Sequence, residues 1–145
     1  MTSLTAQIYT PAGQSDPATF RIVLRLHNQA AHRITVSNPD MGEPSPAMHW
    51  PWSNEIFQIS MLISFRQLSM SVTDGAGQRL PQRTIQTWAT PVIRPKLGLS
   101  PGQSFALSIP IGSFYELARG RAYRVTIGYG DRADRAVAHA LIAVP

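Results

Sequence analysis

Gly98-Leu99-Ser100-Pro101-Gly102 matches G-x-S-x-G, the pattern that sets a nucleophilic serine on a tight strand-to-helix turn. Here it fails on its own chemistry. The oxyanion hole of such a turn uses the backbone N–H after the serine, and Pro101 has none. The turn must also open a helix, whereas Gln103 to Ile109 alternates as a strand does. Ser100 therefore reads as the start of a type II turn with Pro101 second and Gly102 third. Met41, Met48 and His49 offer softer chemistry, because thioethers and an imidazole suit Cu(I). Methionine is also a common core filler, and Met61 and Met70 fall in apolar segments. No second histidine stands at ligand spacing from His49; His27, His32 and His139 lie elsewhere in the chain. The carboxylates Asp16, Asp40, Glu43, Glu55, Asp74, Glu116, Asp131 and Asp134 are scattered, without the paired acids of a glycosidase. Asp131 and Asp134, with Arg132 and Arg135, read as a solvated hairpin loop. The expectation is a protein that is not an enzyme and holds no cofactor, with a Met/His copper carrier as the alternative.

The most unusual segment runs from Ser37 to Ser53. It holds four prolines, two tryptophans, two methionines and a histidine, without periodicity. Loops beyond about 12–15 residues are uncommon in compact domains and are often functional. Proline lowers the entropy lost on binding, and tryptophan is favoured at contact centres. One tryptophan is expected to tuck over the open end of the fold; the other is either packed or presented. Met48, His49, Trp50 and Trp52 are the expected centre of a partner-binding surface. Arg21, Arg25 and Arg124, on outward strand positions, are expected to add contacts to an acidic partner.

Arginine supplies twelve of the thirteen basic side chains; the other is Lys96. Its planar fork suits carboxylates or phosphates. The densest cluster, Arg119, Arg121 and Arg124, is broken by Gly120, Ala122 and Tyr123. It makes no basic arm, and a nucleic-acid partner is not expected.

The elements that must carry these residues follow a period of two. Phe20, Ile22, Leu24 and Leu26 share one face of a strand ending near Asn28. Arg33–Ser37 reads as a second strand, joined to it by a hairpin link, Gln29–His32. Leu68, Met70 and Val72, then Phe105, Leu107 and Ile109, then Tyr123, Val125, Ile127 and Tyr129 make further apolar faces. Asp74-Gly75-Ala76-Gly77 is a turn, and Ala136–Val144 reads as a closing strand. Ser113 and Glu116 form a capping-box pattern for a short helix stopped by Gly120. Asn54 is a candidate cap for a segment from Glu55 to about Ser64 that fits helix or strand. Short strands with Pro- and Gly-rich connections predict an all-β chain: a single immunoglobulin-like antiparallel β-sandwich of about seven strands with one or two short helices, spanning residues 1–145.

Leu99-Ser100-Pro101-Gly102-Gln103-Ser104-Phe105, Ile109-Pro110-Ile111, Tyr115-Glu116-Leu117 and Gly120-Arg121-Ala122-Tyr123-Arg124-Val125, with Tyr129, follow one another in order. This series resembles the closing strands of bacterial immunoglobulin-like sandwiches. Examples are the intracellular proteinase inhibitor family and the β-sandwich domain ahead of some lysine-specific metallopeptidases. The resemblance covers roughly Leu97 to Val144. It implies sandwich architecture; no inhibitor loop carries over.

Composition sets the remaining bounds. With 43% hydrophobic and 14% charged residues, the chain is the reverse of a disordered sequence. The absence of cysteine excludes disulfides, thiolate metal sites and cysteine nucleophiles. The most apolar stretch, Ile56–Phe65, is interrupted by polar residues and falls short of the ~18 residues of a membrane span. A soluble cytoplasmic chain is expected, with a mature exported one as the alternative and no membrane partner. The functional expectation is a protein-binding module of the inhibitor or immunity type acting through the Pro/Trp-rich loop. A structural homo-oligomer built on an edge strand is a further alternative.

Overall fold

Two three-stranded antiparallel sheets carry the apolar alternation. The computed structural model describes residues 4–85, 87, 96–131 and 135–145. Among these, the order is β1 (Leu4–Tyr9), β2 (Ile22–Asn28), β3 (Ile34–Val36), α1 (Asn54–Ser64), β4 (Leu68–Thr73), β5 (Leu97–Leu99), β6 (Ser104–Ile109), α2 (Ile111–Phe114), β7 (Ala122–Tyr129) and β8 (Ala136–Ala143). One sheet runs β1-β2-β6, the other β4-β7-β8, and β3 with β5 forms a small third ladder. This is the connectivity of an immunoglobulin-type sandwich, in which strands A, B and E face strands C, F and G. The expected fold class stands.

Register places the core. Ile22, Leu24 and Leu26 lie opposite Ile109, Leu107 and Phe105. In the facing sheet Leu68, Met70 and Val72 lie opposite Tyr129, Ile127 and Val125. These in turn pair with Ala136, Ala138 and Ala140. A one-residue slip would turn every one of these side chains to solvent, so burial itself fixes the register. All are buried except Phe105, Leu107 and Ala140, which are partly so. Tyr123, near the start of β7, accepts the Ala118 N–H on its hydroxyl at 2.9 Å. That is the tyrosine corner of such sandwiches.

The two lateral openings are closed differently. β1 runs against β8 on one side, and α1 packs on both β4 and β6 on the other. The sequence left Glu55–Ser64 open between helix and strand; it is a helix. Its cap is Ser53, whose Oγ accepts the Ile56 N–H at 3.2 Å, and not Asn54. Phe57, Ile59, Met61 and Leu62 enter the core. At the far end Arg66 takes φ 59°, and the Arg66 and Gln67 N–H groups donate to the Ile63 and Leu62 carbonyls. That Schellman closure usually employs glycine at the left-handed position.

Other expectations change. β1 was not foreseen as a strand. β2 and β3 do not form a hairpin: β3 pairs with β5, Ile34 opposite Leu99 and Val36 opposite Leu97. Both edges of β2 are taken, by β1 and β6, so none is left for β3, and the fully buried Asn28 fixes the turn that leads away. Its amide donates to the His32 carbonyl at 3.0 Å and the Leu99 carbonyl at 2.9 Å, and its oxygen accepts the Ala30 N–H at 2.8 Å. These bonds satisfy the backbone that a hairpin would have paired and send the chain towards β5. The Ser113/Glu116 capping box does not form either. α2 starts at Ile111 after Pro110, with no side-chain cap, and the chain is extended again at Tyr115. Gly112 sets this position: a Cβ there would lie 2.1 Å from the Pro17 carbonyl oxygen, and its N–H bonds the Phe20 carbonyl. The Ser100–Gln103 turn closes as expected, with a Gln103 N–H to Ser100 carbonyl bond of 2.9 Å and Gly102 at φ 79°. Arg132 and Asp134 of the expected hairpin loop lie outside the described residues; Asp131 pairs with Lys96 at 2.8 Å.

Candidate partner-binding site

The segment from Ser37 to Ser53 has little regular structure, yet side chains fix it at successive points. At its base the buried Tyr129 hydroxyl donates to the Ser37 carbonyl at 2.7 Å. Asn38 Oδ1 then accepts the Asp40 N–H at 3.0 Å, and Asp40 Oδ1 accepts the Gly42 N–H at 2.9 Å. Two consecutive Asx turns thus fold Asn38–Gly42 without a partner strand. Gln58 on α1 finishes the clasp. Its Oε1 accepts the Met41 N–H at 2.7 Å, and its Nε2 donates to the Gly42 carbonyl. A side-chain amide here does what a strand edge would do. Ser45 caps a 3-10 turn, Pro46–Met48, and His49 ends that turn in the left-handed region at φ 50°.

That bend delivers the tryptophans. Trp50 is half-buried and meets Phe57 of α1 edge-on, with ring centroids 5.3 Å apart. Its indole N–H donates to the Ser53 carbonyl at 3.1 Å. Trp52 packs edge-on against Trp50 at 4.9 Å and remains 47% exposed. Edge-to-face aromatic pairs contribute ~0.5–1.5 kcal/mol each beyond area burial. One indole is therefore tucked in and the other presented. Met48, His49, Trp50, Pro51 and Trp52, with Thr84 and Ile85, line a depression of about 430 Å³. Four of the seven expected contact residues come together in it. Thr84 and Ile85 were not foreseen, because nothing in their local pattern signals an approach to a segment more than thirty residues earlier in the chain.

The three arginines lie elsewhere. Arg21 is exposed but engaged: its Nε and Nη2 donate to the two Glu55 carboxylate oxygens at 3.0 and 2.7 Å. This bond raises the guanidinium pKa further. Glu55 also accepts the Ser108 hydroxyl at 2.8 Å. The pair ties the first turn of α1 to the β1-β2-β6 sheet. Arg25, on the outer face of that sheet, donates to Ser104 Oγ at 3.2 Å. Ser104 Oγ also lies 2.5 Å from His27 Nδ1. This serine–histidine pair escaped the sequence reading because it is made across strands, His27 opposite Ser104. Arg25 bonds the serine and not the imidazole, so the pair lacks the carboxylate that orients the histidine of a catalytic triad. Arg124 stands on the outer face of the opposite sheet, opposite Leu141.

Ser100 is followed by β6 and not by a helix. Met41 turns into the core, 9% exposed, while Met48 and His49 face the depression. Among the described residues there is no group of three His, Asp or Glu side chains able to hold a metal, and no helix long and apolar enough to cross a membrane.

No protein-family model matches the chain, and no curated protein matches it. Solved structures give distant likenesses. A protein described as ApaA from Bordetella pertussis is 17% identical, with 98% of this chain and 94% of that one covered and a TM-score of 0.40. A β-glucuronidase of Bacteroides uniformis is 16% identical, with 97% of this chain covered and a TM-score of 0.39. The chain spans 13% of the length of that glucuronidase. Likenesses this remote carry no argument about activity, and the sandwich rests on its own ladders.

Proposed function

We propose that the protein is a non-catalytic protein-binding module that engages its partner through the Met48–Trp52 loop. The observation that carries this reading is Trp52, 47% exposed at the edge of an apolar depression, on a loop held by Tyr129, Gln58 and Trp50. A large rigid aromatic with few rotors gains contact area at little entropic cost, so fixing it before binding raises affinity. The loop is clasped to α1 and presents Trp52 at its edge as a stiff anchor for a partner. The finer reading is an inhibitor or immunity-type role, in which a stiff aromatic loop on a small single sandwich occupies a partner's surface.

Affinity capture from the native organism with wild type, Trp52→Ala and Trp50→Ala/Trp52→Ala, combined with light scattering, tests this. A stoichiometric protein retained by wild type and lost from folded Trp52→Ala is the expected outcome. If the folded double variant keeps every partner, the loop is not the contact. If the mass is a multiple and no heterologous partner appears, self-association replaces the proposal.

A further inference from the structure

The outer face of the β4-β7-β8 sheet, like that of β1-β2-β6, has no carboxylate in its rows, and it differs in carrying two exposed aliphatic side chains. Register puts Thr73, Arg124 and Leu141 in one row, Ser71, Thr126 and His139 in the next, and Ser69, Gly128 and Val137 in the third. None of these outward positions carries a carboxylate. Leu141 is 73% exposed and Val137 51%, the two most exposed large hydrophobic residues among those described. They stand four residues apart on β8, roughly 13 Å along the strand. A cation sits at each end. Arg124 flanks Leu141 at a depression of about 400 Å³ bordered by Thr73, Asp74 and Gly75. At the other end the Arg135 guanidinium lies over Gly128, where any Cβ would meet it, and donates to Ser69 Oγ and to the Gly130 carbonyl at 3.2 Å. Glycine at 128 is what lets this guanidinium rest on the sheet. At the rim, Asp74 Oδ1 accepts the Ala76 and Gln78 N–H groups, both at 2.9 Å.

We infer that this face is a second docking surface, separate from the tryptophan loop, and that its occupant is an acidic polypeptide segment carrying apolar side chains between its carboxylates. Charge decides the sign of the partner. A twofold contact with a second copy would bring arginines against arginines, Arg124 and Arg135 standing at the two ends of the face with no opposing carboxylate in the rows, so self-pairing is disfavoured. Apolar exposure decides its class. Nucleic acid is held chiefly through phosphates and would leave Leu141 and Val137 unmatched. A polypeptide covers the aliphatics and answers the arginines together, and guanidinium forks bind carboxylates in two-pronged geometry. The protein then offers two faces of different chemistry, one aromatic, the other aliphatic and flanked by arginines.

The test uses the full chain with three synthetic twelve-residue probes: alternating Glu-Leu, alternating Glu-Ser and alternating Lys-Leu. Binding is followed by fluorescence anisotropy and by backbone amide shifts. The Glu-Leu probe should saturate, with shifts confined to Arg124–Gly128 and Val137–Leu141. The Glu-Ser probe should bind at least tenfold more weakly and the Lys-Leu probe not at all. Arg124→Glu and Leu141→Ser, both at exposed positions, should each weaken the Glu-Leu probe at least tenfold, while Trp52→Ala leaves it unchanged. Absence of saturable Glu-Leu binding, or shifts centred on the tryptophan loop, overturns the inference. So does tighter binding to a DNA duplex or to phosphatidylserine vesicles than to the Glu-Leu probe. The Trp52→Ala control separates failure here from failure of the loop proposal.

Discussion

Asn28 and Gln58 perform the same task in two regions, with different results. Each uses a side-chain amide to bond backbone groups that have no strand to pair with. Asn28 does so at the junction of β2, β3 and β5, fully buried, binding three groups from two separate segments. Gln58 does so on the partly exposed flank of α1, binding Met41 and Gly42 of a single loop. The buried clasp secures a junction of the topology, because it ties the end of β2 to the turn after it and to β5. The exposed one decides the shape of a surface, because it fixes the approach to the tryptophans. Burial separates the roles: an orphaned polar group inside costs its full desolvation penalty, whereas one at the surface is satisfied by water.

The largest effect should come from breaking the inner clasp. Asn28→Ala leaves two carbonyls and an N–H without partners and should lower unfolding free energy by about 3 kcal/mol or more, read from urea denaturation. A second buried anchor extends that side of the comparison. Burial pushes the Tyr115 phenol up to about 12 from 10.0, with Arg79 opposing slightly. Its hydroxyl donates to the Met70 carbonyl or to Gln82. The unfolded chain loses this proton first as pH rises. Stability is therefore fully present below pH 10 and falls between pH 10 and about 12 with a one-proton slope. Tyr115→Phe should abolish that slope in alkaline unfolding curves. Breaking the outer clasp should do less to the whole: Gln58→Ala is expected to cost about 1 kcal/mol globally. Its signature is local, with faster amide exchange over Met41–Trp52 and lower tryptophan anisotropy. The smallest effect runs the other way. Arg66→Gly relieves a left-handed residue at the end of α1 and should stabilise by about 0.5–1 kcal/mol in the same denaturation assay, leaving loop exchange unchanged.

The sequence was legible where burial repeats with a fixed period. Phe20 to Leu26, Leu68 to Val72 and Tyr123 to Tyr129 alternate because each strand has one wet and one dry face, and their registers follow. It was legible too where one residue type dictates a backbone angle, as Pro101 and Gly102 do. It was illegible where a contact joins distant segments. Nothing around Asn28 announces that its amide will reach Leu99, and nothing around Gly112 announces the Pro17–Phe20 backbone beside it. Ile56, Ile59 and Ile63 fit helix and strand equally until β4 and β6 supply the surface on which α1 packs. The loop showed its own importance through composition. How its two tryptophans divide depended on Phe57, and the separation of Arg21, Arg25 and Arg124 from them depended on which sheet each strand joined.

A preformed recognition surface requires the tryptophan loop to be fixed before any partner arrives. Backbone ¹⁵N relaxation of the free protein measures this directly. Order parameters over the non-proline residues of Met41–Trp52 should be about 0.85, matching β2 and β7. Values below about 0.6 across that segment, with the strands rigid, would contradict the claim that the loop is a preformed recognition surface.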